Sequence, residues 1–542
     1  MKSVIESLIK QALATLNLGE VSFVVEHPTD SKMGDYSTNV GIKTRKASEI
    51  VAELEKNLPK EIERVEVAGP GFINFYLSPE FFKNSLEEII ERGENFGRGT
   101  HAKGHKVMVE HTDPNPFKEF HIGHLMPNVI GSTIARIFEW NGAELKQANY
   151  QGDKGLHVAK AVWARLKNLD QFSKDSFGGV LPVFEYGRAY AVGNEAYEND
   201  DNARAEIEEI NKKIYLMDDN IVYSSATPEG QYQDGRKRSL EYFEEIYKRL
   251  GAHFDYYFFE SDTAPIGKQI VSENIGKVFE ESEGAVVFRG EKFDPSLHTR
   301  VFINSQGIPT YEAKDLGNAK NKFDKYPYDL SVVVTGNEIK DYFRVMLKAL
   351  EQIYPDLAKK TKHLPHGMLR LPTGKMSSRT GNVVTAESLI EEVKGRVGGN
   401  EVVAVGAIKY AILRQGIGQD IVFEFDKTIS TEGDSGVYLQ YAHARACSVL
   451  EKAGEVGGFE MGEVKGIEKI LYRFPEIVER AGAEYAPNYI TTYLTELASA
   501  FNNFYAHEPI IDNAHNLAIT KAFKIVMKNG LQILGIGAPE RM

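Results

Sequence analysis

Apolar positions recur along this chain with two periods, and the switches between them mark out its organisation. Over the first eighteen residues apolar positions alternate with Lys2, Glu6 and Lys10 in a helical period, and β-type runs follow at 21–25 and 65–67. Ser78 then stands where an N-cap is wanted ahead of a helix predicted from about Pro79 to Arg92. The glycine-rich stretch 93–104 closes a small α+β unit. From about Gly104 to Gly155 strand and helix patterns alternate, as in one half of a doubly wound parallel sheet. Residues 107–109 read as a strand, and Leu125, Ile130, Ile134, Ile137 and Phe138 as the apolar face of the next helix. Pro127 is placed in that helix's first turn, where its missing N–H costs little. Acidic helical segments at 195–219 and 239–250 break the rhythm and predict an insertion at about 170–283. Buried strands are expected at 285–288, 301–303 and 331–334, and an all-helical domain beyond about residue 430. The expected division is 1–103, 104–430 and 431–542.

A chain of 542 residues exceeds what one core supports, in keeping with several domains. No apolar run approaches the roughly 18 residues of a membrane helix, and the N-terminus lacks the apolar centre of a signal peptide. A cytoplasmic location without membrane contact is the expectation. A single cysteine, Cys447, excludes intramolecular disulfides and zinc sites built from several thiolates. Its helical apolar setting reads as that of a buried small hydrophobe. The net charge of −13 argues against a nucleic-acid footprint spread over the whole surface. Local basic stretches, Lys43 to Lys46 and Arg236 to Arg238, suit either a footprint on one face or a solvated surface.

Two short stretches carry candidate chemistry. His121-Ile122-Gly123-His124 falls at the predicted helix N-terminus, where free N–H groups and the helix dipole favour phosphate. Gly123 leaves room for a nucleobase against the backbone, and the imidazoles suit phosphate oxygens. The pair reads equally as one helix face, or as half of a metal site. Glu119 does not stand in the His-Glu-x-x-His order of a helical zinc site, and His111 is the one close third ligand. Far downstream, Lys375-Met376-Ser377-Ser378-Arg379 lies in a small-residue, glycine-flanked loop whose cations and hydroxyls suit a clamp over pyrophosphate. Alone it reads as a solvated loop. In this order the two point to nucleotide activation on either side of one ATP.

With its surroundings, the first motif resembles the catalytic strand and turn of the arginyl-tRNA synthetases, including Pro114, Asn115 and Lys118. Further segments resembling that family are 152–155, 309–317, 438–445 and 535–542, with 34–39 and 67–74 resembling its added N-terminal domain. The resemblance covers essentially the whole chain. It implies an α/β class I catalytic core, a Rossmann-like parallel sheet with an insertion, between an N-terminal α+β domain at the outer corner of tRNA and a helical anticodon-binding domain. It implies ligation of arginine to its cognate tRNA, tRNA(Arg), through an arginyl-adenylate, with ATP and accompanying Mg²⁺, by a monomer.

By the same resemblance, His121, His124, Lys375 and Ser377 are catalytic, and Gly123, Gly152, Asp153, Gly155 and Met376 line the nucleotide. Glu110, Asn115, Tyr311, Asp315 and Glu338 face arginine. Tyr438, Gln440, Tyr441, Arg445 and Asn39 face tRNA. The second motif departs from the family-wide form by carrying Ser378 where a second lysine is usual. Lys118, just ahead of the first motif, is the expected substitute and Arg379 its rival. Lys154 replaces a usual tryptophan, and Met126 and Pro127 replace an arginine followed by a small hydroxyl residue.

The chemistry of arginine agrees: guanidinium presents five donors and no acceptor, so its pocket needs acids. Tyr311 and Asp315, four apart behind a possible cap at Thr310, share one helix face. Without the resemblance they read as a half-buried aromatic and a surface acid. The tyrosines of 438–445 suit either base stacking or helix packing. Three rivals stand beside this reading. Another class I synthetase, such as one for cysteine, needs zinc-binding thiolates that Cys447 alone does not supply. A silent arginine- or tRNA-binding paralogue fits the loss at Ser378 but not the retention of His121, His124 and Lys375. A small-cofactor nucleotidyltransferase has no use for the flanking domains.

Overall fold

The computed structural model describes residues 1–167, 183–218, 220–372, 384–454, 459–460 and 462–542; Lys375, Met376, Ser377, Ser378 and Arg379 lie outside these. At the N-terminal end, helices Lys2–Thr15 and Ala47–Leu54 pack against a sheet of β1 (Val25–Glu26), β2 (Tyr36–Thr38), β3 (Ile62–Ala68) and β4 (Phe72–Leu77), ordered β1-β2-β4-β3. Of the expected run 21–25 only Val25 is a strand residue, because β2 is short and pairs with Val25 and Glu26 alone. Ser78 caps helix Pro79–Arg92, its hydroxyl accepting the Phe81 N–H at 3.2 Å. That helix does not simply close the first unit. Phe82 joins the N-terminal core with Ile5 and Ile9, whereas Leu86 and Ile89 join the large core shared by the central sheet and the C-terminal helices.

The central sheet contains β5 (Lys106–Glu110), β6 (Glu144–Gln151) and β7 (Tyr256–Phe259). A separate antiparallel sheet follows, made of β8 (Glu280–Ser282), β9 (Ala285–Arg289) and β10 (Thr299–Ile303). The chain then returns to the central sheet with β11 (Leu330–Gly336) and β12 (Thr361–His366), giving five parallel strands in the order β12-β11-β5-β6-β7. Both faces of this sheet are covered. Val107 and Val109 enter one core and Met108 the other, and Val332 and Val334 part from Val333 in the same way, which is the period of two expected of strand side chains. The winding reverses between β5 and β11, so their carboxyl ends open a crevice, the usual ligand position in such a sheet.

β7 and helix Glu260–Glu273 fall inside 170–283, and β7 belongs to the central sheet; ahead of β7 the described residues of that span hold helices Val183–Asn199, Asp201–Leu216 and Pro228–Leu250, the last of which packs Phe243, Ile246 and Leu250 into the core of that sheet. A four-residue aromatic run is too short to show a strand by periodicity. All three strands expected after 283 form, as β9, β10 and β11; β11 enters the parallel sheet, whereas β9 and β10 pair antiparallel. The short strands β13 (Leu369–Arg370) and β14 (Ile421–Val422) pair in parallel. Beyond residue 430 the described residues hold no strand, and helices Gly436–Ala453, Phe474–Ala483, Asn488–His507 and Ala514–Ile533 form the C-terminal bundle, with Cys447 buried in the first. No described helix is long and apolar enough to cross a membrane.

Candidate active site

The turn between β5 and helix Ile122–Trp140 departs from ordinary backbone geometry at three non-glycine residues, Thr112 (φ 83°), Asp113 (φ 42°) and Phe117 (φ 68°). Surrounding bonds hold them there. The Thr112 hydroxyl meets His111 Nδ1 at 2.7 Å and accepts from Asn128 at 3.1 Å; the Asp113 carboxylate accepts the Tyr150 N–H at 2.8 Å. Helix Pro228–Leu250 takes two turn donors, Phe117 N–H to Ser239 Oγ at 3.0 Å and Phe120 N–H to Tyr242 Oη at 3.4 Å.

The first motif does lie at a helix N-terminus. His121 is the N-cap, and its Nδ1 accepts the Gly123 N–H at 3.0 Å. A neutral ring so held carries its proton on Nε2, free to donate outward. His121 and His124 stack with centroids 3.8 Å apart and planes 19° from parallel. Burial, then the nearby Lys118, draws His121 down to about 4; burial, then His121, draws His124 well below the ordinary range. Both rings are therefore neutral donors at pH 7, and His124 Nδ1 is buried without a partner. Gly123 is exposed, with the His121 ring 2.7 Å from where a Cβ would sit. Pro127 is not in the first turn: with the helix starting at Ile122 it lies in the second, and it removes the donor that would meet the Gly123 carbonyl.

The second motif lies outside the described residues, but the chain resuming after it is joined to the first. His121 and Thr385 form an antiparallel bridge, the Ile122 N–H donates to the Val384 carbonyl at 3.2 Å, and the Ala386 N–H donates to Phe120 at 2.8 Å. Lys118 stands nearby, its Nζ 4.7 Å from the centroid of the Tyr190 ring. Burial, then Lys160, lowers it to about 8. His157 Nε2 lies 2.9 Å from the Gly152 carbonyl, and burial, then Lys118, lowers this ring to about 3. The cation that bears on His121, His124 and His157 alike is Lys118, a field suited to polyphosphate.

Beside this region lies an acidic cup. Glu110 receives Lys322 at 2.8 Å and Asn318 at 2.9 Å; Glu260 receives Lys314 at 2.5 Å; Tyr342 donates its hydroxyl to Asp315. Asp113 completes a set of four carboxyls against two ammoniums. Burial, then Glu110, raises Asp113 well above the carboxylate range. Burial pushes Asp315 up to about 8 with help from Glu110 and Glu260, against the bond from Tyr342. Asp113, Asp315 and Tyr150 keep some solvent access at the floor of the cleft. A guanidinium supplies both the donors and the positive charge this floor is short of. Gly152 joins the two regions: a Cβ there would fall on the Asn115 amide oxygen and lie 3.3 Å from Glu260, while its carbonyl meets His157.

The other candidates sort by placement. Tyr311, 60% exposed, stands at the rim one helical turn from Asp315. Thr310 is the N-cap residue, but its hydroxyl donates to the Val301 carbonyl at 2.7 Å and caps nothing. Glu338 is exposed at the end of β11, folded back over Gly336. Gly155 adopts φ 151° beside His157. Asp153 does not line the cleft as expected. It is fully buried beneath it, accepting from Arg236 at 2.8 Å, Tyr232 at 3.3 Å and Ser261 at 2.8 and 2.9 Å. Arg236 and Arg238, paired with Asp153 and Asp234, are accordingly no free basic footprint.

In the C-terminal bundle, Gln440 is fully buried and its amide holds the carbonyls of Val402 and Gly537, which removes it from any tRNA-facing surface. Tyr441 is accessible, with Arg445 between the Tyr441 and Tyr505 rings at 4.8 and 5.0 Å. The Tyr438 hydroxyl accepts from Asn502 at 2.9 Å, and half-buried Asn39 accepts the Val24 N–H at 3.1 Å. Sequence reasoning missed Asp113, Glu260, Lys314, Lys322, His157 and Tyr190. Asp113 and Lys314 do fall within the stretches around the first motif and at 309–317 that resemble the family, and the four-residue spacing of Lys314, Asn318 and Lys322 by itself fits a solvated helix stripe as well as a buried one.

Comparison with known proteins agrees over the whole length. Residues 85–399 match the catalytic domain of class I tRNA synthetases (R), residues 3–77 the arginyl-tRNA synthetase N-terminal domain, and residues 439–542 the DALR anticodon-binding domain. The arginine–tRNA ligase of Fusobacterium nucleatum is 31% identical, with 95% of this chain and 94% of that protein covered. That of Clostridium acetobutylicum is 30% identical, with 96% of each covered. The solved arginyl-tRNA synthetase of Thermus thermophilus superposes with a TM-score of 0.82 at 26% identity, over all of both chains. With a catalytic-domain match spanning more than half the chain and the activation turn beside an acidic cup, the chain belongs to the arginyl-tRNA synthetase family.

Proposed function

We infer that the chain ligates arginine to tRNA through an arginyl-adenylate. The observation that carries this is the four-carboxyl cup joined through Gly152 to the stacked, neutral histidine pair. The cup holds the guanidinium and so aims the arginine carboxylate at the α-phosphate of ATP. A carboxylate oxygen forms the new bond to phosphorus while the α–β bond breaks and pyrophosphate leaves. His121 Nε2–H and His124 stabilise the oxygens on which charge gathers, Lys118 the departing phosphates, and no general base is required. A terminal ribose hydroxyl of tRNA(Arg) then takes the arginyl group and AMP leaves. In this reading Lys375 and Ser377 act on the pyrophosphate side with Met376 beside the nucleotide, Mg²⁺ enters with ATP, and the face carrying exposed Tyr441 and half-buried Arg445 meets anticodon bases. Residues 1–103, 104–430 and 431–542 act as tRNA-corner, catalytic and anticodon-binding domains of a cytoplasmic monomer.

Charge-assisted bonds contribute about 1.5–3 kcal/mol each, so citrulline, which lacks the charge, is rejected without editing. ATP–pyrophosphate exchange tests the reading. Exchange is expected with arginine in the presence of tRNA and not with arginine alone. Exchange with cysteine instead overturns it, and no exchange with any amino acid favours a silent sensor.

A further inference from the structure

Lys118 is the proposed replacement for the lysine missing at Ser378, and the inserted helices fix where it stands. Helix Val183–Asn199 meets the turn nearly residue by residue. Tyr186, fully buried, sets its ring edge-on to Phe117 with centroids 5.3 Å apart, and its hydroxyl donates to Asp234 at 2.9 Å. Gly187 approaches Glu119 so closely that an added Cβ would lie 3.3 Å from its Cγ. One turn beyond Tyr186, Tyr190 turns its ring to the Lys118 ammonium. From the other side helix Pro228–Leu250 stacks Tyr232 on Phe117 at 6.2 Å and accepts the Phe117 and Phe120 N–H groups. Lys118 itself has no hydrogen bond or ion pair among the described residues. A lysine on four rotatable carbons needs restraint to act at one place. A carboxylate would restrain it by neutralising it; an aromatic face restrains it and leaves its charge available.

We propose that Tyr190 is a positioning residue for Lys118, holding the ammonium toward the triphosphate, so that the insertion supplies the activation step with what Ser378 does not. The proposal rests on the reading of the site as one for arginine activation. Exchange kinetics at saturating tRNA in the full chain test it through Tyr190→Met, Tyr190→Phe, Lys118→Met and the Tyr190→Met/Lys118→Met double variant. Tyr190→Met is expected to lower kcat about tenfold with the arginine KM little changed, and Tyr190→Phe to retain activity. In the Lys118→Met background Tyr190→Met should cost nothing further, since the two act as one unit. Fluorinated phenylalanines at 190, which keep the shape and weaken the negative ring face, should lower kcat in graded steps without disturbing the fold. Full activity of Tyr190→Met, the same loss in both backgrounds, or no effect of fluorination overturns the proposal. Unchanged exchange in Lys118→Met overturns it by removing the role of the lysine. Absence of exchange in the unsubstituted chain removes the activation reading on which both depend.

Discussion

Asp315 sets how the cleft responds to pH. Its neighbours are Glu110 from β5, Asp113 from the turn, Tyr150 from β6, Glu260 from helix Glu260–Glu273, Lys322 from its own helix and Tyr342 from helix Lys340–Ile353. An unfolded Asp titrates at about 3.9, whereas here the carboxyl is held at about 8. Between those values the folded chain binds more protons than the unfolded one, so this residue's contribution to stability falls as pH rises from about 4 to 8. Guanidinium needs the anionic form and reverses the loss. The thermal midpoint without arginine is therefore expected to fall from pH 6 to 8.5, while the increase produced by saturating arginine grows over the same range. Asp315→Asn should remove that growth and raise the arginine KM, and Tyr342→Phe, which deletes a bond favouring the anion, should move the break to higher pH. Thermal scans with and without arginine decide it; an arginine effect independent of pH would sink the idea. The need for acids follows from guanidinium chemistry, but Asp315 and Glu110 were singled out through the family resemblance, since Asp315 by itself reads as a surface acid. Lys314, Asn318 and Lys322 were not, since evenly spaced polar residues look like a solvated helix face and only the fold turns this stripe inward.

At the scale of elements, the cup depends on how closely helices Glu260–Glu273 and Tyr311–Lys325 cross. A Cβ on Gly267 would fall on the Ala313 carbonyl oxygen, and one on Gly317 would lie 2.7 Å from the Gly267 nitrogen. This approach brings Lys314 onto Glu260 and fixes the pitch of Asp315. Gly267→Ala overfills the crossing at about 1–3 kcal/mol and must push the helices apart. The arginine KM is expected to rise at least several-fold while the ATP KM stays near its original value; exchange kinetics with each substrate varied separately would show it, and equal changes in both would refute it. Local signals located many elements: the Ser78 cap, the alternating valines of β5, the long apolar face after His124. They failed where partners decide, as for β7, recruited into the parallel sheet by β6, and for Pro127, whose turn depended on where the helix began.

Across the whole molecule, the N-terminal unit rests on the C-terminal helices through a polar latch. His27 lies 3.2 Å from Glu476, the Tyr36 hydroxyl donates to the same carboxylate at 2.6 Å, Lys469 meets Asp35 at 3.3 Å, and Tyr472 is buried in the N-terminal core. Burial pushes the Glu476 carboxyl up, but the bonds from His27 and Tyr36 outweigh it and the net shift is downward. Its stabilisation is therefore complete above the ordinary carboxylate range and lost on acidification. Glu476→Ala leaves the Tyr36 hydroxyl without its acceptor, at about 1–3 kcal/mol. A higher tRNA KM in charging is expected, with the arginine KM at saturating tRNA unchanged and faster proteolysis in the 93–104 stretch. Retained tRNA KM would mean that the latch does not orient the unit.

Strand β5 stands between β6, which follows it directly, and β11, whose arrival is marked by the Lys106 N–H donating to Asp329 across 223 residues. A nascent chain leaving the ribosome thus displays the histidine turn and one open, apolar strand edge long before the segment that covers it has been synthesised. For that interval the growing polypeptide is exposed to mispairing, and a translation product stopped short of residue 330 is an aggregation hazard rather than half an enzyme.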